Sequence, residues 1–234
     1  MNTIEKNLIE GLKTLDQKMT ERNLPPIEIN VVGDLVLSIN NIREGKNAYA
    51  SIDCINPAFS KEMKELIEEV GTQYNFGFNF FNTPVEESIN TYVGKLNFKD
   101  SGLKLNSIKV NTIDLEEQMM LCIHLIDTES TVFDLPLPDF TRYTELQDIV
   151  EIAEKLEINL PECLMRLEDE GFITDHRTAA LIETFQRTGE MDYKKLISKV
   201  REDFLPDYND KDQDPFEADY DSIIKSIEDE EKRN

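Results

Sequence analysis

The residues with the clearest chemical potential flank a short break between apolar runs: Val31-Val32-Gly33-Asp34-Leu35-Val36-Leu37, then Ser51-Ile52-Asp53-Cys54-Ile55. A glycine ending an apolar strand lets main-chain N–H groups approach a phosphate, because no Cβ stands in the way. Ser51 and Asp53 are two positions apart, so on a strand they share one face. A carboxylate on that face offers oxygen ligands to a hard divalent cation, which can stabilise charge developing on phosphoryl oxygens. Asp34 places a second carboxylate beside the glycine.

The elements that must position these groups follow from periodicity. Ile4, Leu8, Ile9, Leu12, Leu15 and Met19 recur at threes and fours and predict a helix over residues 1–24, stopped by Pro25-Pro26. Ile27 to Val32 reads as a strand that becomes buried, and a short helix begins at Leu35 after the Gly33 turn. Residues 43–47 form a loop, and Ala48 to Ile55 the second strand. Ser60 has the character of an N-cap for a helix over Glu62–Val70, which Gly71 is placed to end. Strands are predicted over Tyr92–Phe98 and Leu103–Thr112, and a buried helix over Glu116–Ile126.

After Ile126 the pattern changes. Residues 127–143 read as a polar, proline-bearing connection containing Pro136 and Pro138, with Asp127, Glu129 and Asp134 as hydrated surface. Helices are predicted from Leu146 to Ile158, from Pro161, over Thr178–Phe185 and over Tyr193–Phe204. The organisation is therefore an α/β domain over 1–126, a connection over 127–143, a helical domain over 144–205 and an acidic tail over 206–234. A last helix in the tail is predicted over Ser222–Glu231. The fold class is α+β, a mixed sheet flanked by helices and followed by an all-α region.

Order and spacing over roughly residues 1–160 resemble the minimal, abortive-infection-toxin-like nucleotidyltransferases of the polymerase-β superfamily. That family runs helix, strand, Gly-Gly or Gly-Ser turn, helix, strand with Asp-x-Asp, helix, then a short motif like Asp-Trp-Leu-Asn. Here the corresponding pieces are Val32-Gly33-Asp34, Ser51-Ile52-Asp53, the helix through Glu65-Leu66-Ile67-Glu68-Glu69-Val70, and Asn79-Phe80-Phe81-Asn82. Glu117-Gln118-Met119-Met120-Leu121 stands where the family has a buried helix, and Arg142 with Glu145-Leu146 where its helical region begins.

The resemblance implies a nucleotide site at Gly33 and Asp34, and a catalytic metal site at Asp53. Three departures weaken the implied activity. Ser51 replaces the first carboxylate and is a poorer Mg²⁺ ligand. Asp34 brings negative charge to a turn that should welcome phosphate. The basic residue usual in the family's buried helix is missing, with His124 the only polar substitute over Met119–Ile126. If Mg²⁺ binds, the ligand expected is Asp53, with Asp34 or Asp114 completing the set.

Other residues read more plainly as structure. Phe76, Phe78, Phe80 and Phe81 suit packing under the sheet better than stacking on a base. His124 suits a packed, hydrogen-bonded position, and His176 a helix start. Ser51 has no histidine near it in sequence to activate it as a nucleophile. Cys54, Cys122 and Cys163 are scattered in apolar surroundings, which suits reduced thiols in a cytoplasm.

The chain has 234 residues, with 48 acidic and 25 basic, for a formal charge of −23. That charge repels nucleic-acid phosphates; it suits a solvated acidic surface first, and otherwise contact with a basic protein partner or a DNA-binding site. No apolar run reaches the length of a membrane span. The preferred reading is a pseudoenzyme of nucleotidyltransferase type that acts by protein contacts. One alternative is an active enzyme moving NMP from an NTP to protein or RNA. The other is an acidic interaction protein, such as a DNA mimic or an inhibitor of a basic partner.

Overall fold

The computed structural model describes residues 7–42, 51–56, 59–76, 80–82, 96–130, 140–174, 176–191 and 193–204. Several expectations fall outside these residues: the 43–47 loop, the start of the second strand at 48–50, Phe78 and Asn79, the strand residues 92–95, and the prolines of the connection. The tail over 206–234, with its last helix, lies outside them too.

The chain divides into two compact units, with the boundary between Leu121 and Cys122. In the first unit, α1 (Leu8–Glu21) starts at Asn7, whose side chain accepts the Glu10 N–H at 3.1 Å. Leu8, Leu12, Leu15 and Met19 are buried in one stripe, as their spacing requires. Then come β1 (Ile27–Val32), α2 (Asp34–Ile39), β2 (Ile52–Asn56) and α3 (Lys61–Gln73). Ser60 caps α3 by accepting the Met63 N–H at 3.2 Å. The short β3 (Phe81–Asn82) and β4 (Lys99–Asp100) flank the sheet, and β5 (Ile108–Thr112) leads into α4 (Leu115–Ser130).

The described strands form one mixed sheet in the order β3-β2-β1-β5-β4. β1 lies parallel to β5 and antiparallel to β2. One face carries Ile29, Val31, Ile52, Cys54, Ile108 and Val110, which share a core with the buried residues of α1 and α3. Each large aliphatic side chain so buried contributes about 1.5–3 kcal/mol. The alternate residues make a polar face. There Glu28 pairs with Lys109 at 2.8 Å, and the Asn111 amide donates to Glu28 at 2.8 Å and Asn30 at 2.9 Å. Phe76 stacks on Phe80, and Phe81 meets Phe80 edge-on, all three buried in the core. These three aromatics of the run therefore pack within the unit.

The second unit is helical over its described residues after α4: α5 (Phe140–Lys155), α6 (Leu160–Asp169), α7 (His176–Thr188) and α8 (Tyr193–Phe204). Pro161 sits in the first turn of α6, where its missing N–H costs nothing. Leu146, Ile149, Leu164, Leu167, Ile182, Phe185, Leu196 and Val200 are buried. The fold is thus a mixed sheet with helices, then helices alone.

Several boundaries differ from expectation, each for a local reason. Gly71 does not end α3, which runs to Gln73. The terminator is Asn75, at φ +60°, which lets the Phe76 N–H reach the Gly71 carbonyl at 2.7 Å. Asn23, Asn41, Glu157 and Gly171 end α1, α2, α5 and α6 with the same left-handed turn. Residues 96–98 are not strand, and of 103–112 only Ile108–Thr112 is. α4 continues through Asp127 to Ser130, and α5 already includes residues 140–143, so both ends of the expected connection are helical.

Candidate functional site

Gly33 and Asp53 come together on neighbouring strands. In the β1–β2 ladder Val32 lies opposite Asp53, and Gly33 follows directly as the N-cap residue of α2. Gly33 has φ +68° and ψ −141°, a region only glycine occupies without strain. A β-bulge lies next to this point. Asn30 faces Asn56 and Val31 faces Cys54, so β2 carries one extra residue, Ile55. Bulges of this kind re-aim side chains beside functional sites.

The Asp53 side chain is on the polar face of the sheet, since its neighbours Ile52 and Cys54 are buried on the other. It lies hard against the glycine turn. A Cβ on Gly33 would stand 2.5 Å from Asp53 Oδ2. The other carboxylate oxygen, Oδ1, accepts the Ser51 hydroxyl at 2.8 Å. Ser51 immediately precedes β2 and is half-buried. The i, i+2 spacing thus brings hydroxyl and carboxylate together as expected, and they bind one another.

Asp34 is the first residue of α2 and half-buried. Its main-chain oxygen accepts the Ser38 hydroxyl at 2.8 Å. Its charge in the first turn complements the helix dipole. Asp114 serves the start of α4. Its Oδ1 accepts the Glu117 N–H at 2.9 Å, the reciprocal half of a capping box is the Asp114 N–H to Glu117 at 3.4 Å, and Lys99 lies 3.5 Å from its Oδ2. The structure thus groups Gly33, Asp34, Ser51 and Asp53, and commits Asp114 to a helix cap.

Sequence reasoning missed Gln118. This residue of α4 is 2% exposed, and its Oε1 accepts the Gly33 N–H at 2.8 Å. The available signal was a lone carboxamide among the buried residues Leu115, Met119 and Leu121. A buried polar side chain needs a partner, and here the partner is a main-chain donor.

The donors do not suit the paired Mg²⁺ ions that the resemblance implies. Among the described residues no group of three or more His, Cys, Asp or Glu side chains could hold a metal ion. One oxygen of Asp53, the carboxylate beside the glycine turn on β2, already holds a hydroxyl that cannot supply charge. An open groove of about 390 Å³ lies elsewhere, along β5 and residues 103–107.

His124 is buried near Phe172, with ring centroids 6.2 Å apart. Burial holds its pKa below the usual imidazole value, against an opposing pull from Asp127. Asp127 is itself 2% exposed and is no hydrated loop residue. Its Oδ2 accepts the Thr174 N–H at 3.0 Å and hydroxyl at 2.7 Å, and its Oδ1 accepts the Thr178 hydroxyl at 3.0 Å. This cluster ties α4 to the start of α7. His176 is the first residue of α7.

Among the described residues no helix is long and apolar enough to cross a membrane. Comparison with known protein families, with characterised proteins and with solved structures finds no match.

Proposed function

We propose that this chain is a nucleotidyltransferase-like protein without transfer activity, which acts through contacts with a protein partner. The carrying observation is the bond from Ser51 Oγ to Asp53 Oδ1. In a working centre of this type a second carboxylate would stand at position 51, and the pair would share metal ions across their open oxygens. A neutral hydroxyl that donates into Asp53 does the opposite, because it occupies a lone pair and adds no charge. The placing of Asp53 beside the Gly33 turn, and the order of α1, β1, α2, β2, α3 and β3, support the family likeness.

Contact with a basic partner is favoured by the charge of −23. Exposed carboxylates occur in both units, among them Glu62, Glu65 and Glu68 on α3 and Glu162 and Asp169 on α6.

The test is titration calorimetry of the full chain with Mg²⁺ and each NTP, alongside a labelled-transfer assay. No transfer is expected. Robust transfer of label, lost in Asp53→Ala, would overturn the proposal in favour of an active enzyme with unusual geometry.

A further inference from the structure

We propose that Gln118 is an internal stopper for the glycine turn, holding the Gly33 amide closed against nucleotide phosphates. The inference rests on reading that turn as the remnant of a phosphate-facing one. β5 runs parallel beside β1, with Thr112 opposite Val31, so both strands end together and α4 starts next to the turn. From there Gln118 Oε1 reaches the Gly33 N–H at 2.8 Å.

The residue type matters. An aliphatic side chain would leave the amide without an acceptor from the protein, open to one from outside. A glutamate would bring a further negative charge to a turn already flanked by Asp34 and Asp53. A buried carboxamide satisfies the donor and adds no charge, so the turn closes on the protein's own atoms. An incoming phosphate oxygen must break this bond and leave a buried carboxamide oxygen without its partner. Such a loss weakens binding on the order of tenfold to a hundredfold. The stopper therefore acts in addition to the loss of charge at Ser51.

The experiment uses the ¹⁵N-labelled full chain and sodium tripolyphosphate as the probe. In the wild type the Gly33 amide cross-peak is expected to stay in place at millimolar tripolyphosphate, and the amide to exchange slowly with solvent. In Gln118→Met, which keeps length but loses the carboxamide acceptor, exchange at Gly33 should accelerate on the order of tenfold to a hundredfold. The cross-peak should then move saturably with the probe. Should Gln118→Met not fold, Gln118→Asn, too short by one methylene to keep the bond, replaces it with the same expectations. A saturable shift in the wild type would overturn the stopper while leaving the phosphate-facing reading intact. Unchanged protection in a folded variant would overturn the stopper alone. A variant amide that is unprotected yet unmoved by tripolyphosphate would overturn both.

Discussion

A Cβ on Gly33 would lie 2.5 Å from Oδ2 of Asp53, closer than a carbon and an oxygen can pack. The glycine at the end of β1 is therefore required twice over, once by its φ of +68° and once by the carboxylate beside it. Gly33→Ala is expected to lower stability by about 1–3 kcal/mol from the backbone alone. Part of any further loss should vanish in an Asp53→Ala background, where the obstructing oxygen is gone. A double-mutant cycle by urea denaturation measures this, with a coupling of about 0.5 kcal/mol or more expected. Strict additivity would show that Asp53 does not press on the turn.

Asp16 is the counterpart of this arrangement on the far side of the same unit. It sits on the buried stripe of α1, 4% exposed, and its carboxylate accepts main-chain N–H groups of Asn106, Ser107 and Ile108 at 2.6–3.0 Å. Asp16→Ala would leave two buried donors, on Ser107 and Ile108, without acceptors. A loss of about 2–4 kcal/mol is expected, because the bonds are charge-assisted and their removal strands buried groups. Chemical denaturation gives the magnitude. Amide exchange should locate the damage at the entry to β5, and a uniform effect across the unit would contradict the assignment.

These two aspartates show where sequence patterns carry structure and where they do not. The Gly33 turn, the Ser60 cap and the shared strand face of Ser51 and Asp53 are legible in the sequence, because each depends on residues close in sequence or on strand alternation. Asp16 was not, since its partners lie about ninety positions away, and a charge on an apolar stripe has no local signature. The same bond accounts for the overlong strand reading of 103–112. Leu103 and Leu105 alternate as in a strand and pack against the core, but the amides of Asn106 and Ser107 turn to Asp16 instead of a ladder. Gln118 escaped notice for a related reason, because helical periodicity ranks positions by hydrophobicity and says nothing of a distant main-chain donor. Asp127 follows the last residue of an apolar run, a position that predicts hydration, whereas α4 carries it inward to Thr174 and Thr178.

His124 gives the second unit a pH dependence whose sign follows from its depressed pKa. Above the ordinary value of 6.5 the imidazole is neutral in both folded and unfolded chains, and it makes no difference to stability. As pH falls through that value the unfolded chain takes up a proton that the folded chain resists. Stability then declines until the lower, folded-state pKa is passed. Thermal denaturation between about pH 8 and about pH 5.5 should show a falling Tm, with a shallower slope in His124→Gln. Equal slopes in the two proteins would mean that His124 titrates freely in the folded state.

Asp127 opposes the burial effect at His124 from one helical turn away. Asp127→Asn removes that negative charge and is expected to lower the His124 pKa further, since nothing then offsets desolvation. The chain has only two histidines, so imidazole resonances followed by NMR across a pH titration can resolve the shift, with His124→Gln assigning the signals. The substitution also turns an amide donor toward a cluster built of donors from Thr174 and Thr178. It should therefore cost about 1–3 kcal/mol in stability at neutral pH. A His124 pKa that rises in Asp127→Asn would mean that the carboxylate does not act on the imidazole through its charge.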